Sequence, residues 1–150
     1  MLPNALLFST GGRCTLSYAK ADGWLRVTWT GYINTEEAMR GALYYLSQVG
    51  PLHCLYLLND NSTLQGPWFD STHWLKTVWL PQAQRLGLRY VAHVVQADTH
   101  SDILTLRSTQ YQLIDSLELQ LFYDVATAEQ WLRSCQQPPK NALPGYSSFH

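Results

Sequence analysis

The chain has 150 residues, which is the size of one domain with a sizeable core. Hydrophobic residues make up 46% of it, a proportion that excludes a disordered chain. Ten basic and eleven acidic residues nearly cancel, so no strong net field would attract nucleic acid or an anionic membrane. No apolar run reaches the ~20 residues that a membrane span requires.

The cysteines and histidines predict neither a metal site nor a cofactor. Cys14, Cys54 and Cys135 are an odd number without metal-type or redox-type spacing, and we expect reduced thiols in a cytoplasmic protein. The five histidines never fall at i, i+3 or i, i+4 spacing. His53 and His93 lie in predicted strands, where we expect hydrogen-bonded core or edge residues.

The N-terminal third predicts a β-hairpin followed by a helix. Residues 14–19 alternate loosely, 21–23 supply an Asp-Gly turn, and 24–30 alternate cleanly with Trp29 on the apolar face. Asn34 is a good N-cap, and a glutamate three residues later completes a capping box for a helix that ends at Gly50.

The middle of the chain predicts a central strand over 52–58, because its residues are apolar on both alternating faces. A polar loop over 59–62 follows, and a helix begins near Asp70 and ends at Gly87. Pro81 lies inside this helix and predicts a kink, since proline has no N–H for the helical ladder.

The last third predicts a buried strand over 89–95, a loop or cap region over 98–102, a helix over 103–114 and an edge strand over 117–121. Asp124 and Thr127 are candidate caps for a final helix. Strands alternating with helices predict an α/β fold with parallel crossovers, in a mixed sheet of about five strands with four helices. We expect residues 1–135 to form a single domain and 136–150 to form a polar tail.

Three stretches carry a resemblance to a known family: residues 24–32, 57–61 and 87–92. Together with the order of elements over 14–134, they resemble the SpoIIAA-like (STAS) family, and within it the small stand-alone bacterial members. The resemblance implies a non-enzymatic protein-interaction or signalling module. It also implies a protein partner, which can be a second copy of the chain in a homodimer.

The resemblance further implies a phosphorylation or docking site at Asp70, Ser71 and Thr72. Classical members carry a phosphorylatable serine after an aspartate at the start of this helix, whereas here His73 stands where those members have glycine. A phosphate would be tolerated at a helix N-terminus. Asp70 and Ser71 equally fit a role as helix caps.

The polar residues after the central strand give a second candidate site. Asp60 and Asn61 would lie past the carboxyl end of that strand, where open α/β sheets bind ligands. Asp70 and His73 could join them in acid–base chemistry. No nucleophile elbow, phosphate loop or dinucleotide fingerprint accompanies them, so we assign no catalytic residue and expect no enzyme.

Six tryptophans leave a ligand-binding alternative open. Trp29 and Trp68 lie near a sheet face and a loop, where exposed aromatic rings would mark a pocket or an interface, while core packing explains them equally. The same architecture also resembles lipid-carrying domains of the CRAL-TRIO type. That reading implies a small apolar ligand in a cavity lined by Trp29, Trp68 or Trp74.

Overall fold

The computed structural model describes residues 4–8, 11–50, 53–65, 74–96, 111–114 and 117–137. Within these ranges, seven strands form one mixed sheet in the order β1-β2-β3-β4-β5-β7-β6. The strands are β1 Asn4–Leu7, β2 Arg13–Ala19, β3 Trp24–Tyr32, β4 Tyr56–Gln65, β5 Tyr90–Val94, β6 Tyr111–Ile114 and β7 Leu117–Phe122. Strands β3, β4, β5 and β7 run parallel, while β1, β2 and β6 are antiparallel to their neighbours.

The helices lie on both faces of this sheet. Helix α1 spans Thr35–Val49, a π-helical segment Leu75–Trp79 leads directly into α2 at Leu80–Arg85, and α3 spans Val125–Gln136. Helix α1 begins with a full capping box, since the Asn34 side chain accepts from Glu37 N and the Glu37 side chain accepts from Asn34 N.

Alternation along the strands divides the core into two layers. The larger layer, on what we call the α1 face, includes Leu25, Val27 and Leu57 and packs against α1 and α2. The smaller layer, on the α3 face, includes Trp24 and Leu58 and packs against α3. Helices α1 and α2 share one face because right-handed crossovers add β4 and β5 in the same direction across the sheet.

Gly41 allows α1 to approach the sheet closely. A Cβ at this position would lie 2.7 Å from Cζ3 of Trp29 and closer still to Cη2, and 3.5 Å from Sγ of Cys14. Trp29 is only 3% exposed, and its ring packs against the backbone of α1 at Gly41. A small residue in mid-helix is therefore required by packing, although glycine lowers helix propensity.

Much of the predicted architecture is confirmed. The chain is α/β, 13–19 and 24–32 pair as an antiparallel hairpin, and the capping box and the Asp124 cap both form. The segment predicted as the central strand is central, between β3 and β5. It begins later than predicted, at Tyr56, and continues to Gln65.

Five predictions are wrong. The segment 59–62 is strand, because neighbouring strands supply hydrogen-bond partners for Asn59 and Asp60. Residues 111–114 are strand β6, paired with β7, so the helix predicted over 103–114 does not extend through them. Strand β7, predicted at an edge of the sheet, lies between β5 and β6. The sheet has seven described strands where about five were predicted. His53 lies outside a strand, exposed and with φ of +50°.

The helix predicted from Asp70 is described only from residue 74 onwards. Its geometry changes from π to α between Trp79 and Leu80. Pro81 then lies in the first turn of α2, directly after the π-helical segment. The tail was predicted over 136–150, but Gln136 is the last residue of α3, and residues 138–150 lie outside the described residues.

We expect Gly41→Ala to destabilise the protein by up to about 2 kcal/mol. The overpacking penalty of about 1–3 kcal/mol against Trp29 exceeds the gain of about 1 kcal/mol in helix propensity. Urea unfolding measures the difference. The same substitution should cost less in a Trp29→Phe background, because the smaller ring leaves room for the methyl group; equal costs in both backgrounds would contradict this account of Gly41.

Candidate functional site

The middle of β4 carries three polar side chains into the protein interior. Asn59, Asp60 and Asn61 are 8%, 4% and 0% exposed. Burying such groups costs several kcal/mol unless each finds a partner. Asparagine and aspartate also have low strand propensity, so the partners must come from the neighbouring strands.

A β-bulge interrupts β4 at this point. Thr28 pairs with Asp60, but Thr30 pairs with Thr63, so β4 has one residue more than β3 between the two pairs. The extra residue reverses the alternation, and Leu64 therefore returns to the same core layer as Leu57 although they are seven positions apart. The bulge lies towards the carboxyl ends of the parallel strands.

A hydrogen-bonded row crosses three strands on the α1 face. Trp29 Nε1 donates to Asn59 Oδ1 at 2.8 Å. Asn59 Nδ2 lies 3.0 Å from Asn61 Oδ1 and 3.0 Å from Nδ1 of His93, which is 1% exposed. Asn59 and His93 are also direct partners in the register of β4 and β5.

The donor properties of the indole fix the direction of this row. Trp29 Nε1 can only donate, so the oxygen of the Asn59 amide must face it and the nitrogen must face His93. An amide nitrogen also only donates, so His93 Nδ1 is an acceptor and carries no proton. The neutral imidazole therefore has its proton on Nε2.

On the α3 face, Asp60 is held by a cation and a hydroxyl. Arg26 Nη2 lies 2.9 Å from Asp60 Oδ2, and Asp60 Oδ1 accepts from both Ser62 N at 2.9 Å and Ser62 Oγ at 2.7 Å. The Asp60 side chain is 6% exposed and that of Arg26 is 34% exposed. The carboxylate is thus shielded from water while its cation remains partly hydrated.

The structure brings together some of the candidate residues and leaves others undescribed. Asp60 and Asn61 lie next to each other on opposite faces of β4, and Trp29 reaches Asn61 through Asn59. The remaining candidates lie outside the described residues, so the acid–base and phosphorylation hypotheses stay predictions: Trp68, Asp70, Ser71, Thr72 and His73.

Three residues of the site were not predicted as site residues from the sequence: Asn59, Arg26, and His93 as the partner of Asn59. Asn59 belonged to the predicted loop, but nothing local indicated that it is the centre of the row. His93 was expected to be a satisfied core residue, which is confirmed. The signal that was available is a histidine in one apolar strand and an asparagine in the next, which parallel pairing can bring together.

Trp29 and Trp24 are both almost completely buried. Trp29 packs on Gly41 and donates to Asn59, and Trp24 is 1% exposed in the α3-face layer. The guanidinium of Arg133 lies 5.4 Å from the centre of the Trp24 ring. Both rings act in core packing, which was one of the two open alternatives.

The thiols are in environments that suppress ionisation. Burial raises the pKa of Cys14 to about 12. Burial, with a smaller contribution from Glu118, raises the pKa of Cys135 to about 11, and burial also raises the pKa of Cys54. Since the thiolate is the nucleophile, these cysteines are poorly suited to covalent catalysis at neutral pH.

Within the described ranges, no group of three or more His, Cys, Asp or Glu side chains could hold a metal ion. In the same part of the chain, no helix is both long and apolar enough to cross a membrane.

Comparisons of the sequence with protein-family models and curated proteins, and of the chain with solved structures, gave no match.

We expect Trp29→Phe to cost about 1–3 kcal/mol more in unfolding free energy than Trp24→Phe. Both changes remove the same volume from a buried site, but only the first leaves the buried Asn59 oxygen without its donor. Urea unfolding of the two variants provides the comparison. Equal losses would show that the indole N–H of Trp29 contributes no more than packing.

We expect the three thiols to react slowly with Ellman's reagent at pH 8 and rapidly in urea. Because their pKa values are raised in the folded state, the unfolded state ionises first as the pH rises. The thiol contribution to stability is thus complete below about pH 9 and is lost between about pH 9 and 12. Rapid reaction of one native thiol at pH 8 would contradict this assignment.

Proposed function

We propose that the chain is a non-enzymatic protein-interaction module of the SpoIIAA-like type, and that it self-associates through the outer surface of α1 and α2. The observation that carries the proposal is an apolar groove on this surface, which is lined by the half-exposed Leu43 and by the exposed Arg85. The hairpin followed by parallel strands also supports it, because the order of these elements is part of the family resemblance.

The groove, which we call the α1–α2 groove, has a volume of about 390 Å³. It is lined by Leu43, Leu46, Ser47, Gln82, Arg85 and Leu86. Leu43 is 44% exposed although it lies in mid-helix. Covering a leucine of this exposure would remove apolar surface from water, and this favours association.

The occupant that fits best is a second copy of the chain. Glu36 and Leu43 are seven residues apart and share one stripe of α1, about 10 Å along the axis. Arg85 lies beyond Leu43 towards the C-terminal end of α1, since the adjacent Leu86 approaches Gly50. Glu36 and Arg85 are exposed and form no ion pair with any described residue.

Such a surface is complementary to itself. In a two-fold dimer with antiparallel α1 helices centred on Leu43, Glu36 of each copy would face Arg85 of the other. The apolar contact would supply affinity, and the charge pairs would fix the orientation and suppress misaligned association.

The interior polar groups support a non-enzymatic role. Asp60 is engaged by Arg26 and Ser62, and Nδ1 of His93 accepts from Asn59. An enzyme that used these groups would need at least one of them aimed at a substrate. In the described structure they are used in holding β3, β4 and β5 together.

We expect the protein to be a dimer in sedimentation velocity and Leu43→Glu to make it monomeric, because each copy would bury a new carboxylate against its partner. Glu36→Arg and Arg85→Glu should each weaken the dimer by like-charge repulsion. The double variant should restore it, because the pair is then reversed but still complementary.

Tyr123→Glu is the matched control, since Tyr123 is 63% exposed but lies after β7, outside the groove. It should leave the dimer unchanged. A protein that is monomeric at all concentrations, or a dimer that Leu43→Glu leaves intact, would refute self-association through this surface.

A further inference from the structure

Asn61 leaves a buried donor unused. The residue is 0% exposed, and its Nδ2 atom has no hydrogen-bond partner among the residues that the structure describes. An unpaired buried amide N–H costs about 1–3 kcal/mol, so most such groups in proteins find an acceptor. Nδ2 is the half of the Asn61 side chain that does not contact Asn59.

The orientation of this amide is imposed by its neighbours. Trp29 Nε1 fixes the Asn59 oxygen, so the Asn59 nitrogen must point towards Asn61. Asn61 must then present its oxygen at 3.0 Å, because a flipped amide would place two donor groups against each other. Nδ2 of Asn61 consequently points away from the row, and rotating the amide cannot provide it with an acceptor.

The backbone at Asn61 has the features of a binding site. The extra residue of β4 falls between the pairs of Asp60 and Thr63, immediately around Asn61. Bulges are frequent next to functional sites, where they re-aim a side chain. This bulge also lies towards the carboxyl ends of three adjacent parallel strands, the edge at which open α/β sheets bind ligands.

We propose that Asn61 Nδ2 is the donor of a binding site for a neutral acceptor oxygen. The row on the α1 face presents no formal charge, since Trp29 and Asn59 are neutral and His93 Nδ1 is unprotonated. The nearby ions, Arg26 and Asp60, lie on the other face and are paired with each other. A charged ligand would lose its hydration there without a counter-ion to compensate, whereas the hydrogen bond from Nδ2 can offset the smaller desolvation cost of an uncharged oxygen.

Two sources can supply this oxygen: an ordered water molecule, or a carbonyl or hydroxyl group of a small neutral ligand. Internal water typically occupies polar sites of this kind and makes two to four hydrogen bonds. The site and the α1–α2 groove are separate, so neither proposal depends on the other.

The test uses the unmodified full chain, with side-chain amide resonances assigned by triple-resonance NMR. Cross-relaxation from the Asn61 amide protons to the water resonance is expected if water occupies the site. The Asn59 amide is the internal control, because both of its N–H groups are used by Asn61 and His93. It should show no cross-peak to water.

Native mass spectrometry of freshly purified protein tests whether a small ligand supplies the oxygen. An additional mass that disappears on unfolding, with cross-peaks from the Asn61 amide to protons outside the chain, would identify a small ligand. A high-resolution crystal structure then decides the geometry. A water or ligand oxygen within hydrogen-bond distance of Nδ2 supports the site, whereas a protein acceptor there, or no oxygen at all, overturns it.

Discussion

The hydrogen bond from the Trp29 indole to Asn59 is the constraint on which the centre of the molecule depends. An indole nitrogen cannot accept, so this one contact sets the direction of the Asn59 amide and, through it, the Asn61 amide and the His93 tautomer. It also holds the ring against Gly41 and thereby sets how closely α1 approaches the sheet. Trp29 therefore takes part in strand pairing, in helix packing and in the buried polar row.

The two faces of β4 anchor their polar groups by different means. The α1 face uses neutral hydrogen bonds between adjacent strands, whereas the α3 face uses the Arg26–Asp60 ion pair. Neutral partners suit the deeply buried side, because desolvating ions there would cost more than their attraction returns. Arg26 stays partly hydrated, so the pair on the other face avoids much of that cost. The bulge beyond Asp60 allows β4 to return apolar side chains to the core.

In the described part of the chain, the polar groups that hold the strands together differ from the groups that we propose for binding. Asp60 and His93, the side chains best suited by residue type to acid–base chemistry, hold strands together. The features that remain for binding are the exposed α1–α2 groove and the single outward amide of Asn61. The groove faces solvent and offers apolar area beside Arg85. Asn61 lies inside and offers a neutral donor, and we propose different occupants for the two: a second copy of the chain for the groove and a small oxygen-bearing molecule for Asn61.

The sequence by itself determined the α/β class, the hairpin, the capping box before α1 and the central place of β4. These follow from local signals: alternation, Asx capping and turn residues act within a few positions. Only the tertiary structure decided that residues 59–61 are strand, because the low strand propensity of Asn59 and Asp60 is overcome by partners on β3 and β5 that are about 30 positions away in sequence. The same holds for β6, whose pairing with β7 overrides a helical pattern, and for the orientation of Asn61, which a donor on another strand imposes.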